Sequence, residues 1–367
     1  MRVVHVAPTA FGADGIYGGG ERYPLELARA IAAHVDCTLL TFARRGRPAQ
    51  REVGGLRVEV LPARGHLGRH PAHPLAPGLP GALAGYDVVH THQLWATPSR
   101  VAALTARFRH QPVAVTDHGL LGSRPRPAEA DRLAHRFLTV SEYSAEVLAA
   151  PAERTTVVYG GVDTRRFFPE KRERSGVLFV GRLTPHKGVD RLLRALPEKA
   201  ELTVVGTAGH DLEPPESGYA DSLRELAAGR QVRFLGAVTD AELLDLYRST
   251  AVMVLPSVEE TCYGKQIRIS ELLGLSVLEA MACGAPVVAS RLGGLREVVR
   301  HGETGFLFEP GDVGDLRRRL GQVLGDRPLA RTLGDNSHQL VAERFTWDAC
   351  ARRCLGAYED MGATGAR

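Results

Sequence analysis

The stretch ELLGLSVLEAMACGAPVVAS, Glu271 to Ser290, carries two carboxylates with seven residues between them in a segment otherwise apolar or small. The pattern from Gly274 through Cys283 predicts a buried helix, with Gly284 suited to end it and PVVAS as the next strand. Glu279 then sits inside the helix and Glu271 in the turn before it, up to ~12 Å apart at ~1.5 Å per residue. That gap argues against a shared proton or a metal pair and suits two parts of one extended ligand. A carboxylate accepts hydrogen bonds well from vicinal hydroxyls, which points to a sugar. Upstream, GRLTPHKGVDRLLRAL sets Arg182 and Lys187 around a turn, between the Val-rich run GVLFVG and a helix starting near Val189. Two cations at a strand tip can clamp a diphosphate while a leaving group gains charge. Near the start, GIYGGGER offers Gly18, Gly19 and Gly20 as a bare turn before a helix, where backbone amides suit an anion. That turn is not GxGxxG, and alone it demands no ligand.

These residues need strands and helices to bring them together. Short Val-rich runs alternate with longer amphipathic ones: RVVHVA, ERYPLELARAIAAH, CTLLTF, then YDVVHTH, VAVT and FLTV. The rhythm restarts at GVLFVG and continues through ELTVVG, VRFLG, AVMVLP and APVVAS. This is the βαβ alternation of a parallel sheet, met twice. The expectation is an α/β protein of two doubly wound, Rossmann-like domains facing a central cleft, with the boundary near Glu170 in the charged stretch DTRRFFPEKRERSG. The domains run over 1–170 and 171–345, and a C-terminal helix over 346–367 crosses back to the first domain. The ligand belongs at the carboxyl ends of the strands. Pro62 to Leu83, crowded with Pro, Gly and His, reads as a long loop, either functional or a plain insertion. Helical spacing of Trp347, Cys350, Cys354 and Tyr358 reads as core packing.

A chain of 367 residues exceeds what one hydrophobic core usually serves. A formal charge of +4 over that length does not demand nucleic acid, though it suits an anionic small ligand. The five cysteines show no CxxC pairing, the start MRVVHVAPTA lacks a signal-peptide run, and no uncharged apolar run reaches the ~20 residues of a bilayer span. The cytoplasm is the expected compartment, with any membrane contact peripheral. The histidines of the HTH at His90 to His92 have no third ligand nearby in sequence, so no metal is assigned to them.

VGRLTPHKG, ELLGLSVLEAMACGAPVVAS, GGLREVVRHGETGFLFEPGD and the early GGGER resemble the retaining nucleotide-sugar glycosyltransferases of family 4, which have the GT-B fold. The resemblance runs from Arg2 to about Tyr358. It implies that Glu271 binds donor sugar hydroxyls, Glu279 the ribose, and Arg182 and Lys187 the diphosphate. It also implies that the amides of Gly274, Leu275 and Ser276 add to the diphosphate site and that the Gly18–Gly20 loop closes over it. His118 in VTDHGL would face the transferred sugar, and the turn around Leu235 and Gly236 would meet the base. The catalytic set so implied is His118, Arg182, Lys187 and Glu271. No cofactor is implied beyond the co-substrate, a nucleotide-diphosphate sugar, with UDP ahead of GDP. The acceptor is a hydroxyl of unidentified identity.

The chain has no Asp-x-Asp to hold a divalent ion, so the two cations and helix N-termini take over that work. Three departures stand out. Between Ser257 and Glu271 the chain carries VEETCYGKQIRIS, longer than the family's usual link, followed by Leu272 and Leu273 where small and aromatic residues are commoner. Asp117 precedes His118, whereas the family more often has an acidic residue after the histidine. The Pro62–Leu83 segment, in the acceptor-facing position, gives no acceptor identity. Two other readings stay open: a GT-B nucleotide-sugar epimerase or hydrolase, and a non-catalytic sugar-nucleotide sensor.

Overall fold

The computed structural model describes residues 1–8, 19–43, 49–69, 72–117, 132–209 and 213–365. The chain divides into two compact units, Met1–Gly160 with Trp347–Arg367, and Gly161–Thr346. The change of unit at Gly160 falls before the boundary expected near Glu170. The reason is local: Arg248 pairs with Glu170 and donates to the Phe168 carbonyl at 3.1 Å, which ties the charged stretch to the second unit.

In the first unit the strands are β1 (Arg2–Val6), β2 (Asp36–Ala43), β3 (Ala49–Val53), β4 (Leu56–Pro62), β5 (Gly65–His66), β6 (Pro74–Leu75), β7 (Val88–His92), β8 (Val113–Thr116), β9 (Arg136–Thr139) and β10 (Thr155–Val157). The main sheet runs β10-β9-β8-β7-β1-β2-β4-β3. Every pair in it is parallel except β3 with β4. Val3, Val4 and Val6 are fully buried, as strands covered on both faces require. Helices α1 (Gly19–Ala32), α2 (Leu79–Ala82), α3 (Thr97–Phe108) and α4 (Glu142–Leu148) connect the strands. The Pro62–Leu83 segment, read as a loop, contains the two-stranded sheet β5–β6 and α2.

The second unit holds β11 (Ser175–Val180), β12 (Leu202–Val205), β13 (Val232–Gly236), β14 (Thr250–Leu255), β15 (Val287–Ser290) and β16 (Gly305–Phe308). They are all parallel, in the order β13-β12-β11-β14-β15-β16. Its helices are α5 (Val189–Ala195), α6 (Tyr219–Leu226), α7 (Asp240–Ser249), α8 (Leu275–Ala282), α9 (Leu295–Val298), α10 (Val313–Gly325) and α11 (Arg327–Arg344). The last helix, α12 (Trp347–Gly365), belongs to the first unit. There the Tyr23 ring of α1 meets Trp347 edge-on at 5.2 Å, and the Tyr23 hydroxyl lies 3.5 Å from Cys350 Sγ. Cys350 and Cys354 are unbridged and fully buried.

Each sheet has a switch point where the winding direction reverses, between β1 and β7 in the first unit and between β11 and β14 in the second. In open parallel sheets the crevice beyond the strand ends at that point is where ligands bind.

Candidate active site

The two loops that leave β11 and β14 interlock beyond the strand tips of the second unit. Gly188 makes this approach feasible. Its φ is +66°, and a Cβ built there would lie 2.0 Å from the Pro256 carbonyl oxygen. With no side chain in the way, the amide of Val258 donates to the His186 carbonyl at 2.8 Å. The first loop contributes Arg182 and Lys187, and the second Ser257 and, further on, Glu271.

Glu271 is 6% exposed, and the Lys187 ammonium donates to its Oε1. The Ser257 hydroxyl, fully buried, donates to the same oxygen at 2.6 Å. Burial pushes the Glu271 carboxyl up, but the Lys187 charge and the hydrogen bonds from Lys187 and Ser257 outweigh it and hold the group below the usual carboxylate range. His186 is driven the other way: burial and the neighbouring Lys187 push it down to about 3, so its imidazole is neutral near pH 7. Arg182 is exposed and, among the described residues, its guanidinium has no ion pair.

The E-x7-E element folds as its pattern predicts. Gly274, with φ +92°, caps α8 without a side-chain bond, and a Cβ there would meet Leu295 Cδ2 at 2.6 Å. The first amides of any α-helix, here those of Leu275 and Ser276, have no acceptor inside it, and they carry the helix's positive end. Glu279 is half-buried on the second turn, where the Tyr247 hydroxyl donates to its Oε2 at 2.9 Å. Leu235 and Gly236 end β13; Leu235 is 41% exposed, and Gly236 takes a positive φ of 68°.

The structure thus brings Lys187 and Glu271 into contact, with Arg182 in the same loop as Lys187. Gly19 and Gly20 form the first turn of α1 in the other unit. Gly18 and His118 lie outside the described residues. Sequence reasoning missed Ser257, His186 and Tyr247. Ser257 had a signal, a small polar residue two positions after a strand; Tyr247, on a helix 32 positions from Glu279, had none.

The HTH motif is less isolated in the fold than in the sequence. A third nitrogen does lie near, from His5, which is the register partner of His90 on β1. His5, His90 and His92 are fully buried, and each offers a ring nitrogen within 4.8 Å of the others. His5 Nδ1 is 2.9 Å from His92 Nε2. Both nitrogens of His90 are already engaged, Nδ1 with the Tyr358 hydroxyl at 2.7 Å and Nε2 with Thr116 Oγ1 at 2.8 Å. A metal would have to displace one of those bonds, so the donor set fits a hydrogen-bonded polar core better than a metal centre.

Comparison with known proteins matches residues 163–340 to the model for "Glycosyl transferases group 1" and residues 17–166 to that for "Glycosyltransferase Family 4". A D-inositol 3-phosphate glycosyltransferase of Streptomyces bingchenggensis is 31% identical over 98% of this chain and 88% of its own. The protein of the same name from Thermobispora bispora is 31% identical over 97% and 93%. Among solved structures, Anabaena HepE in complex with UDP and glucose superposes with a TM-score of 0.75 at 22% identity, covering 98% of this chain and 99% of that one. Sucrose-phosphate synthase from Thermosynechococcus elongatus gives 0.77 at 23% identity, covering 99% and 100%.

Proposed function

The chain belongs to glycosyltransferase family 4 and has the GT-B fold, and on that premise we propose that it is a retaining, metal-independent hexosyltransferase using a nucleotide-diphosphate sugar. The observation that carries this reading is the Lys187–Glu271–Ser257 contact at the switch point of the second sheet. In a nucleotide sugar the anomeric carbon is bonded directly to the distal phosphate. A hydroxyl-binding carboxylate and a phosphate-binding cation must therefore stand side by side, as Glu271 and Lys187 do.

In this reading Glu271 holds hydroxyls of the transferred sugar, while Lys187, Arg182 and the amides of Gly274, Leu275 and Ser276 hold the diphosphate. As the bond from sugar to phosphate breaks, negative charge grows on the departing oxygen and meets these groups, without a metal ion. That oxygen takes the proton of the acceptor hydroxyl, which attacks from the same face, so the configuration at the anomeric carbon is kept. No side chain acts as a covalent nucleophile. Glu279 holds the ribose hydroxyls, and Leu235 and Gly236 meet the base. The protein works in the cytoplasm.

UDP-glucose is the first donor to test, since the solved relative HepE was captured with UDP and glucose. The acceptor in the names of the Streptomyces and Thermobispora relatives, D-inositol 3-phosphate, is the first acceptor. The expected result is UDP release that requires an acceptor, persists in excess chelator, and yields a glycoside of the donor's anomeric configuration by NMR. An inverted linkage, or loss of activity to EDTA with recovery on manganese, refutes the mechanism. Release without acceptor supports a hydrolase instead.

A further inference from the structure

The first unit has an unusual charge balance. From Val60 to Thr116 the sequence holds one carboxylate, Asp87, against five arginines, Arg64, Arg69, Arg100, Arg107 and Arg109. Asp87 is itself taken up by the Arg2 amide at 2.7 Å. In the second unit arginines find carboxylates: Arg166 with Asp240, Arg172 with Asp245, Arg248 with Glu170, Arg291 with Glu309. Among the described residues, Arg64, Arg107 and Arg109 form no ion pair. Arg109 instead donates to the Pro80 carbonyl at 2.8 Å, which ties the end of α3 to α2.

The same segment exposes apolar side chains. Leu104 is 57% and Phe108 88% exposed, one helical turn apart on α3. Leu67 and Leu75, in the segment of the β5–β6 sheet, are 51% and 39% exposed. Arg107 and Arg109 flank Phe108, and both α2 and β6 pack against α3.

We propose that the C-terminal end of α3, with Leu104 and with Phe108 between Arg107 and Arg109, docks on an anionic lipid surface. Apolar side chains that enter the headgroup layer, surrounded by arginines that meet lipid phosphates, satisfy both halves of the observation. A second copy of the chain would bring more arginines and, from this segment, a single carboxylate that is already engaged. A nucleic acid would account for the arginines and leave Leu104 and Phe108 without a purpose. The proposal does not rest on the donor chemistry.

The test is co-sedimentation of the full chain with vesicles of phosphatidylglycerol or of phosphatidylcholine, at low and high salt. Binding to phosphatidylglycerol only, weakened by salt, is expected. The double change Leu104→Ser with Phe108→Ser lowers that binding ~10-fold or more through lost apolar burial. Arg107→Gln with Arg109→Gln lowers it ~25-fold, at about fivefold per arginine. Circular dichroism and the melting midpoint confirm that both variants remain folded; if either does not, Phe108→Ser alone replaces it. Equal binding to both lipids, or to neither, overturns the proposal. So does a self-association seen in sedimentation that Phe108→Ser abolishes, or binding to single-stranded DNA that removes the protein from the vesicles.

Discussion

The two sheets share a topology and use their switch points differently. In the second unit the polar groups lie beyond the strand tips: Lys187, Glu271 and Ser257 form a charged cluster next to the open start of α8. In the first unit polar groups also converge on the central strands, but within them. His5 on β1 and His90 and His92 on β7 are fully buried, and burial alone pushes His5 down to about 3. Position along the strand decides the outcome. Past the tip, a charge keeps partners that a ligand can exchange with; inside the sheet, burial keeps the His5 imidazole neutral.

The sharpest test of that contrast removes the cation from the charged cluster. If Lys187 meets charge that grows during bond breaking, its contact is worth more in the transition state than in the ground state. Lys187→Ala is expected to lower kcat by roughly 10²-fold or more, read by steady-state kinetics with donor varied at saturating acceptor. Circular dichroism must confirm folding, because the change strands Glu271 without its charge partner. A rise in KM alone would place Lys187 outside the reacting region.

Next in size is Gly188, on which the meeting of the two loops depends. Alanine there combines a left-handed φ of +66° with a Cβ 2.0 Å from the Pro256 oxygen. Gly188→Ala is expected to cost about 1–3 kcal/mol from the backbone alone. Activity should fall further, as the Arg182–Lys187 loop is pushed away from Ser257. Chemical denaturation and donor kinetics check both; a variant equal to wild type in each would mean the loops do not need this contact.

Much of this was legible in the sequence, and the division follows physical range. Strand and helix rhythm, the helix-ending role of Gly284 and the pair of glutamates are local patterns, readable because apolar periodicity and turn chemistry act over a few residues. The β3–β4 hairpin was not read, because AQREV carries no apolar face: its residues are exposed or half-buried at the sheet edge. His5 as the neighbour of His90, and Tyr247 as the partner of Glu279, exist only through chain crossings that no short-range pattern encodes. The division at Gly160 was missed because the charged stretch 163–176 resembles a linker while its Arg166, Glu170 and Arg172 are fastened to α7.

The buried imidazole of the first sheet predicts a pH effect, one it shares with His186 beside the charged cluster, so the two are separated by substitution at His5. His5 takes up a proton near pH 6.5 when unfolded and only near 3 when folded, so the unfolded state binds more protons between those values. Its contribution is fully present above pH 6.5 and is lost as pH falls, at about 1.4 kcal/mol per pH unit. Melts at pH 7 and pH 5.5 are expected to show a smaller drop in Tm for His5→Leu than for the wild type. Equal drops would assign the acid sensitivity elsewhere.

The smallest expected effect lies within the donor site itself, at the far end of α8. Glu279, if it holds ribose hydroxyls, makes a contact that is the same before and during reaction, so removing it weakens donor binding without slowing turnover. The Tyr247 hydroxyl occupies one side of Oε2 at 2.9 Å and fixes the carboxylate in place. Glu279→Gln should therefore raise the donor KM with kcat nearly unchanged, and Tyr247→Phe, which keeps the carboxylate but removes this one bond to it, should do the same by less, about fivefold for a lost hydrogen bond near 1 kcal/mol. The double variant tests whether the two act as one unit: a KM no higher than that of Glu279→Gln alone means the tyrosine works only through the glutamate. A loss of kcat in folded Glu279→Gln would move this carboxylate into the reacting region, and the contrast between the two ends of the E-x7-E element would fail with it.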